Sequence, residues 1–94
     1  MIKTYKPNDT ARIEAMSFTE ASQDEAVRWA DGGVEMRITD RDNAGFDTWT
    51  WQVSTLEGWV DMPYGSYLAY GTNGEFYPIH ADVMAKRWVE VIDG

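Results

Sequence analysis

Turn-forming residues interrupt this chain at short intervals, at Gly32-Gly33, Asn43-Ala44-Gly45, Glu57-Gly58, Pro63-Tyr64-Gly65 and Asn73-Gly74. Most of the segments between them are too short for a packed helix, and two alternate apolar with polar residues, which restricts the chain to short antiparallel strands. Val34, Met36 and Ile38 fall on one face of a first strand, and Trp49, Trp51 and Val53 on the matching face of a second. These two are expected to form a hairpin joined by the turn chemistry of Asp40 to Gly45. Beyond Glu57-Gly58, strand-like pieces run over 59–62, 66–70 and 75–79. Asn73-Gly74, set between two aromatic runs, predicts a tight turn with positive φ at both residues. Pro78 has no N–H to give a ladder, so the strand carrying it should lie at an edge.

The first third adds a strand over 12–18, whose apolar side changes from Ile13 and Ala15 to Met16 and Phe18 and so suggests a bulge. Ser22-Gln23-Asp24-Glu25 has the spacing of a capping box, and a helix should follow to about Asp31, ended by a left-handed glycine at Gly32-Gly33. A short helical turn over 82–87 and a closing strand over 88–92 complete the chain. The expected fold class is α+β: a small, strongly curled antiparallel β-sheet of about six short strands, approaching a barrel, with one main helix packed on it.

With 94 residues the chain should make a single domain, residues 1–94, around one small core. There is no cysteine, so neither disulfides nor a thiolate metal site can support that core. Large aliphatics are few, and Trp29, Trp49, Trp51 and Phe76 are therefore assigned to it. No apolar run approaches the roughly 20 residues that span a bilayer, and the opening residues Met1 to Pro7 lack the apolar stretch of a secretion signal, so a cytoplasmic protein with no membrane partner is expected.

The formal net charge is -8, and between Arg41 and Lys86 there is no basic residue although Asp42, Asp47, Glu57, Asp61, Glu75 and Asp82 all lie there. Such a chain repels duplex nucleic acid, and its eight Lys and Arg, divided between the two ends, make a poor basic patch. A small anion held by backbone N–H groups and one or two cations is disfavoured less strongly. Acidic and aromatic surface together suit docking on another protein.

The candidate binding residues are accordingly Asp42, Asp47, Asp61 and Glu75, the tyrosines Tyr64, Tyr67, Tyr70 and Tyr77 around the second hairpin, and His80. Each has a bland alternative. Tyrosines at turns and edges either form a docking surface, stack a planar ligand, or pack on their own sheet. Glu75 beside a turn most simply accepts backbone N–H bonds. His80 is the single histidine and has neither a cysteine nor a second histidine with which to build a metal site or a nucleophilic triad. Asp40 and Asp42 share a loop that lacks the alternating ligands of a calcium site, and Gly71-Thr72-Asn73-Gly74-Glu75 lacks the length and lysine of a phosphate loop. No catalytic residue, cofactor or metal is assigned.

Several segments carry a resemblance: Thr4-Tyr5-Lys6-Pro7, Ile13-Glu14-Ala15-Met16-Ser17-Phe18, Thr55-Leu56-Glu57-Gly58, Gly65-Ser66-Tyr67-Leu68 and Gly71 to Pro78 with its Gly-Glu-Phe-Tyr-Pro core. In order and spacing they are similar to a family of small, largely uncharacterised proteins of tailed bacteriophages and prophages. Ser66 and Tyr67 stand where that family has aspartate and tryptophan, and Ile79, His80 and Ala81 where it has cysteine, lysine and proline. The resemblance implies a phage accessory protein, at work in the cytoplasm of the infected bacterium. Three roles follow as expectations: a non-enzymatic binder of a host or phage protein that inhibits host defence, an oligomeric sponge for a nucleotide immune signal, and a virion or assembly component. Short edge strands and exposed aromatics also raise a homo-oligomer formed through the sheet.

Overall fold

A computed structural model describes residues 1–7 and 12–91. In chain order the elements are β1 (Lys3–Lys6), β2 (Ile13–Ser17), α1 (Gln23–Ala30), β3 (Val34–Arg41), β4 (Asp47–Thr55), β5 (Gly58–Asp61), β6 (Tyr67–Tyr70), β7 (Phe76–Ile79), α2 (Ala81–Arg87) and β8 (Val89–Glu90). The strands form two antiparallel sheets, a five-stranded one in the order β7-β6-β2-β1-β8 and a three-stranded one in the order β3-β4-β5. The expected single curled sheet is therefore two open sheets, neither closed nor strongly curled, so the barrel-like expectation is not supported. Two helices accompany them, the main helix α1 and α2, which is the short helical turn expected over 82–87 extended by one residue to Ala81.

The change of apolar side in β2 has a different cause from a bulge. Its register with β1 and with β6 runs without a shift. As the middle strand of the five, it is covered on both faces. Ile13 and Ala15 pack with Ala69, Ile79 and Met84 on the α2 side. Met16 and Phe18 pack with Leu68 on the other, against Ala26 and Ala30 of α1 and Val34, Val53 and Met62 from the three-stranded sheet and its exit. Period-two alternation disappears wherever both faces of a strand are buried.

The largest fully buried side chains are Phe18, Met16, Met62, Leu68 and Val53, so methionine and a single phenylalanine fill the centre. Trp29, Trp51 and Phe76 lie half-buried around it. Trp49, expected in the core, is 56% exposed. The reason is strand length: β3 and β4 run for 8 and 9 residues, against 4 for β6 and β7, so their distal halves overhang the body. The β3–β4 hairpin thus becomes an arm of a molecule measuring 54 × 27 × 25 Å. Its pairing agrees with the sequence, Val34 opposite Val53, Met36 opposite Trp51 and Ile38 opposite Trp49, with a bulge between Ile38 and Asp40.

The helix start also departs from expectation. Ser22 makes no side-chain cap bond to the helix; its hydroxyl donates to the Ser17 carbonyl at 2.7 Å and accepts from Thr19 N–H at 2.9 Å. The short polar side chain is used by the incoming chain instead. At the other end Asp31, at φ 46°, takes the first left-handed position ahead of Gly32. The turn after β6 is longer than a two-residue loop, because Tyr70 pairs with Phe76, Gly71 N–H donates to Glu75 C=O and Gly74 N–H to Gly71 C=O. Only Gly74 has positive φ there, the pattern of a three-residue loop closed by a glycine bulge. Pro78 does lie in an edge strand, β7. The closing strand is β8, and the expected Ile92 lies outside the described residues. β1 was not foreseen; it fills the place between β2 and β8.

Candidate functional site

A groove of about 340 Å³ lies where the β4–β5 turn faces the free edge strand β7, lined by Thr55, Leu56, Glu57, Val60, Glu75, Tyr77 and Pro78. The turn is fixed by its own threonine, whose hydroxyl donates to the Gly58 carbonyl at 2.8 Å and accepts from Glu57 N–H at 3.1 Å. That geometry leaves Leu56 at the tip, 77% exposed, an unusual place for a leucine. On the opposite wall Tyr77 is half-buried, and burial, assisted by the neighbouring Glu75 carboxylate, pushes its phenol above the ordinary value. The neighbouring Gly71 is needed for this placement, since a Cβ there would meet Tyr77 Cε1 at 2.8 Å.

Among the described residues neither Glu57 nor Glu75 has a side-chain hydrogen bond or ion pair, so both carboxylates are available to a ligand. The sequence expectation that Glu75 serves its own turn is thereby corrected: its backbone carbonyl holds Gly71 N–H, while its side chain lines the groove. A groove walled by two acids, a phenol and the apolar surface of Leu56, Val60 and Pro78, with no cation among its lining residues, fits a basic side chain carried on an apolar stem.

The other sequence candidates are dispersed. Asp42 closes the tip of the arm, its Oδ1 accepting Ala44 N–H and Phe46 N–H, each at 2.9 Å. Asp47 pairs with Arg41 through both oxygens, at 2.5 and 3.3 Å. Asp61 accepts Gln52 Nε2 at 2.8 Å on the polar face of the three-stranded sheet. Tyr67 meets Tyr5 edge to face, 6.1 Å between centroids, beside the cluster under α2. Tyr70 lies on the opposite face from Tyr67 and Tyr77 and meets Phe76 at a 54° tilt, 4.8 Å between centroids, and Phe76 in turn meets Trp29 edge to face at 5.1 Å. Tyr64 and His80 share a second, smaller cavity of about 160 Å³ with Pro63, Gly65, Ser66 and Ala81, and the Ser66 hydroxyl there is taken by the Pro63 carbonyl. Of the nine residues singled out by sequence, Glu75 and Tyr77 are brought together in the groove, and Tyr64 and His80 in the smaller cavity.

Sequence reasoning missed Glu57, Leu56, Val60 and Pro78 as groove residues. A leucine at the centre of a Thr-Leu-Glu-Gly turn was the available signal, since a two-residue loop between paired Thr55 and Gly58 cannot bury it. Among the described residues no group of three or more His, Cys, Asp or Glu is placed to hold a metal ion. No described helix is long and apolar enough to cross a membrane. Compared with protein-family models, with curated proteins and with solved structures, the chain matches none.

Proposed function

We propose that this chain is a non-enzymatic phage accessory protein that binds a host or phage protein, taking a basic, apolar-stemmed segment of its partner into the groove between the β4–β5 turn and β7. The observation that carries this reading is the unpaired carboxylates of Glu57 and Glu75 flanking Tyr77 and the exposed Leu56 in one cavity. Exposed apolar and aromatic groups ringed by charge supply the anchor and rim of a protein interface. The surrounding acidic field of a chain of formal charge -8 speeds encounter with a cationic partner. The phage setting, the infected bacterium's cytoplasm and a role against host defence rest on the resemblance of Thr55–Gly58 and Gly71–Pro78 to phage proteins.

Capture from host lysate at low salt tests it. The protein should retain at least one partner that Glu57→Lys/Glu75→Lys releases while keeping the wild-type circular dichroism spectrum. Retention of the same proteins by both forms, or of none by either, would count against the reading. The nucleotide-sponge alternative is the weaker one, because neither cavity described above has a lysine or arginine in its lining to meet a phosphate. A thermal-shift screen against cyclic nucleotides distinguishes it, since ligand at about 100-fold over Kd adds roughly 2.7 kcal/mol.

A further inference from the structure

Segments far apart in the sequence meet at one end of the five-stranded sheet. β1 lies between β2 and β8, antiparallel to both, with Tyr5 opposite Ile13 on one side and Glu90 on the other. The register sets Lys6 opposite Val89, and its next step past Tyr5 and Ile13 sets Lys6 beside Arg12. Lys86 and Arg87 close α2 and stand one tryptophan before Val89, so they arrive at the same end of the sheet. Cations that the sequence keeps far apart thus form one group, Lys6, Arg12, Lys86 and Arg87, all of them exposed.

Among the described residues this group has no acidic partner, although the chain holds 16 acids for 8 bases. Lys3, Arg37 and Arg41 are paired, with Glu90, Glu35 and Asp47. Arg28, the remaining base, lies apart in the last turn of α1. The carbonyls that end α2 account for Lys86 and Arg87, because cations are favoured at a helix C-terminus. They do not account for Lys6 and Arg12. Like charges side by side on neighbouring strands repel, and nothing described within the protomer offsets that cost. Tyr5 and Ile13 pack on the α2 side, so the alternating Lys6 and Arg12 emerge from the other face, beside Val89, which is 54% exposed.

We propose that this end of the sheet binds a short, extended, acidic segment of a protein partner, its carboxylates meeting Lys6, Arg12 and Arg87 around the apolar Val89. An exposed apolar group ringed by unpaired cations supplies the anchor and the charged rim of such a contact. Strand spacing puts β8 about 10 Å from β2, a distance that an extended segment covers in about three residues, so two or three acids saturate the group. A long polyanion fits less well. Tyr70 is opposite Glu14 on one side and Phe76 on the other, which brings Glu75, just before Phe76, to the same end of the sheet. A nucleic acid or an anionic membrane running past the cations would meet Glu75 and its groove neighbour Glu57. Tyr5 and Trp88, the aromatics nearest the cations in sequence, are packed half-buried on the cluster under α2, where a base cannot stack on them freely.

Fluorescence anisotropy of a labelled Glu-Glu-Leu-Glu-Glu peptide, titrated with the full chain at low ionic strength, tests the proposal. Binding should saturate and weaken as salt is added. Arg12→Glu/Arg87→Glu, with a wild-type circular dichroism spectrum, should lower the affinity by at least about tenfold, since exposed ion pairs are lost and repulsions take their place. Arg12→Lys/Arg87→Lys should keep most of it. The neutral peptide Gln-Gln-Leu-Gln-Gln should not bind, and a single-stranded oligonucleotide carrying the same charge should bind more weakly than the acidic peptide. No saturable binding of the acidic peptide, binding indifferent to salt, binding that survives the charge reversal, or equal or tighter binding of the oligonucleotide would each overturn the proposal. The residues involved are separate from those lining the groove, so the outcome is independent of the partner-capture test.

Discussion

Trp51 Nε1–H donates to the Tyr64 hydroxyl at 3.2 Å, and that hydroxyl donates in turn to Gln23 Oε1 at 2.6 Å. One phenol thereby ties β4 of the three-stranded sheet, the loop entering β6 and the first residue of α1. The same ring lies 5.4 Å from Phe18, whose other side meets Trp51 edge to face at 5.5 Å. The two sheets are joined here by directed contacts as well as by apolar packing.

Tyr64→Phe keeps the ring against Phe18 and removes both hydrogen bonds. Because the site is half exposed, water can reach the freed indole N–H and amide oxygen, and the cost should be about 0.5–1.5 kcal/mol. Urea denaturation should show a lower midpoint with an unchanged slope.

Phe18→Ala is a different case, because Phe18 is fully buried among Met16, Met62, Leu68 and Val53. Loss of its transfer energy together with the cavity left behind should cost about 3–5 kcal/mol. A domain of this size has a total stability on the order of 5–15 kcal/mol, so the variant should lose a large share of it and show a clearly lower thermal midpoint by circular dichroism.

Tyr77 predicts a particular response to alkali. Burial first, and the Glu75 carboxylate second, raise its phenol above 10.0 in the folded state. A raised folded value means that the fold favours the protonated phenol. The stabilising contribution is complete below about pH 10 and is lost as pH climbs through the folded value. Stability measured by urea denaturation should therefore fall with pH in that range, and Tyr77→Phe should lessen the slope without abolishing it, since Tyr5 is raised too, chiefly by burial.

Much of the fold was legible in the sequence where a strand has one covered face. The Val34 to Ile38 and Trp49 to Val53 alternation fixed a hairpin and which of its side chains share a face, while the register itself came from the folded backbone. Legibility failed where both faces are covered, as in β2, whose change of side looked like a bulge. It failed again where strand length carries side chains beyond the body: Trp49 has the chemistry of a core residue and the position of an overhang. Division into two sheets was not readable, because the same short strands and turns serve either arrangement. For the site, the acidic and tyrosine-rich character of the central stretch was visible, but its partition was not. Asp42, Asp47 and Asp61 are engaged by neighbours that only the folded backbone supplies, whereas Glu57 and Glu75 are brought to one groove by the approach of β4 to β7.

The most direct test of the central claim, that the groove takes a cationic side chain on an apolar stem, is a titration of the isotope-labelled protein with a short lysine- and leucine-containing peptide, followed by amide NMR shifts. Saturable shifts should be confined to Leu56, Glu57, Val60, Glu75 and Tyr77, and should vanish in Glu57→Lys/Glu75→Lys. Shifts spread equally over Asp42, Asp61 and Asp82, or the same groove shifts in the double variant, would contradict it.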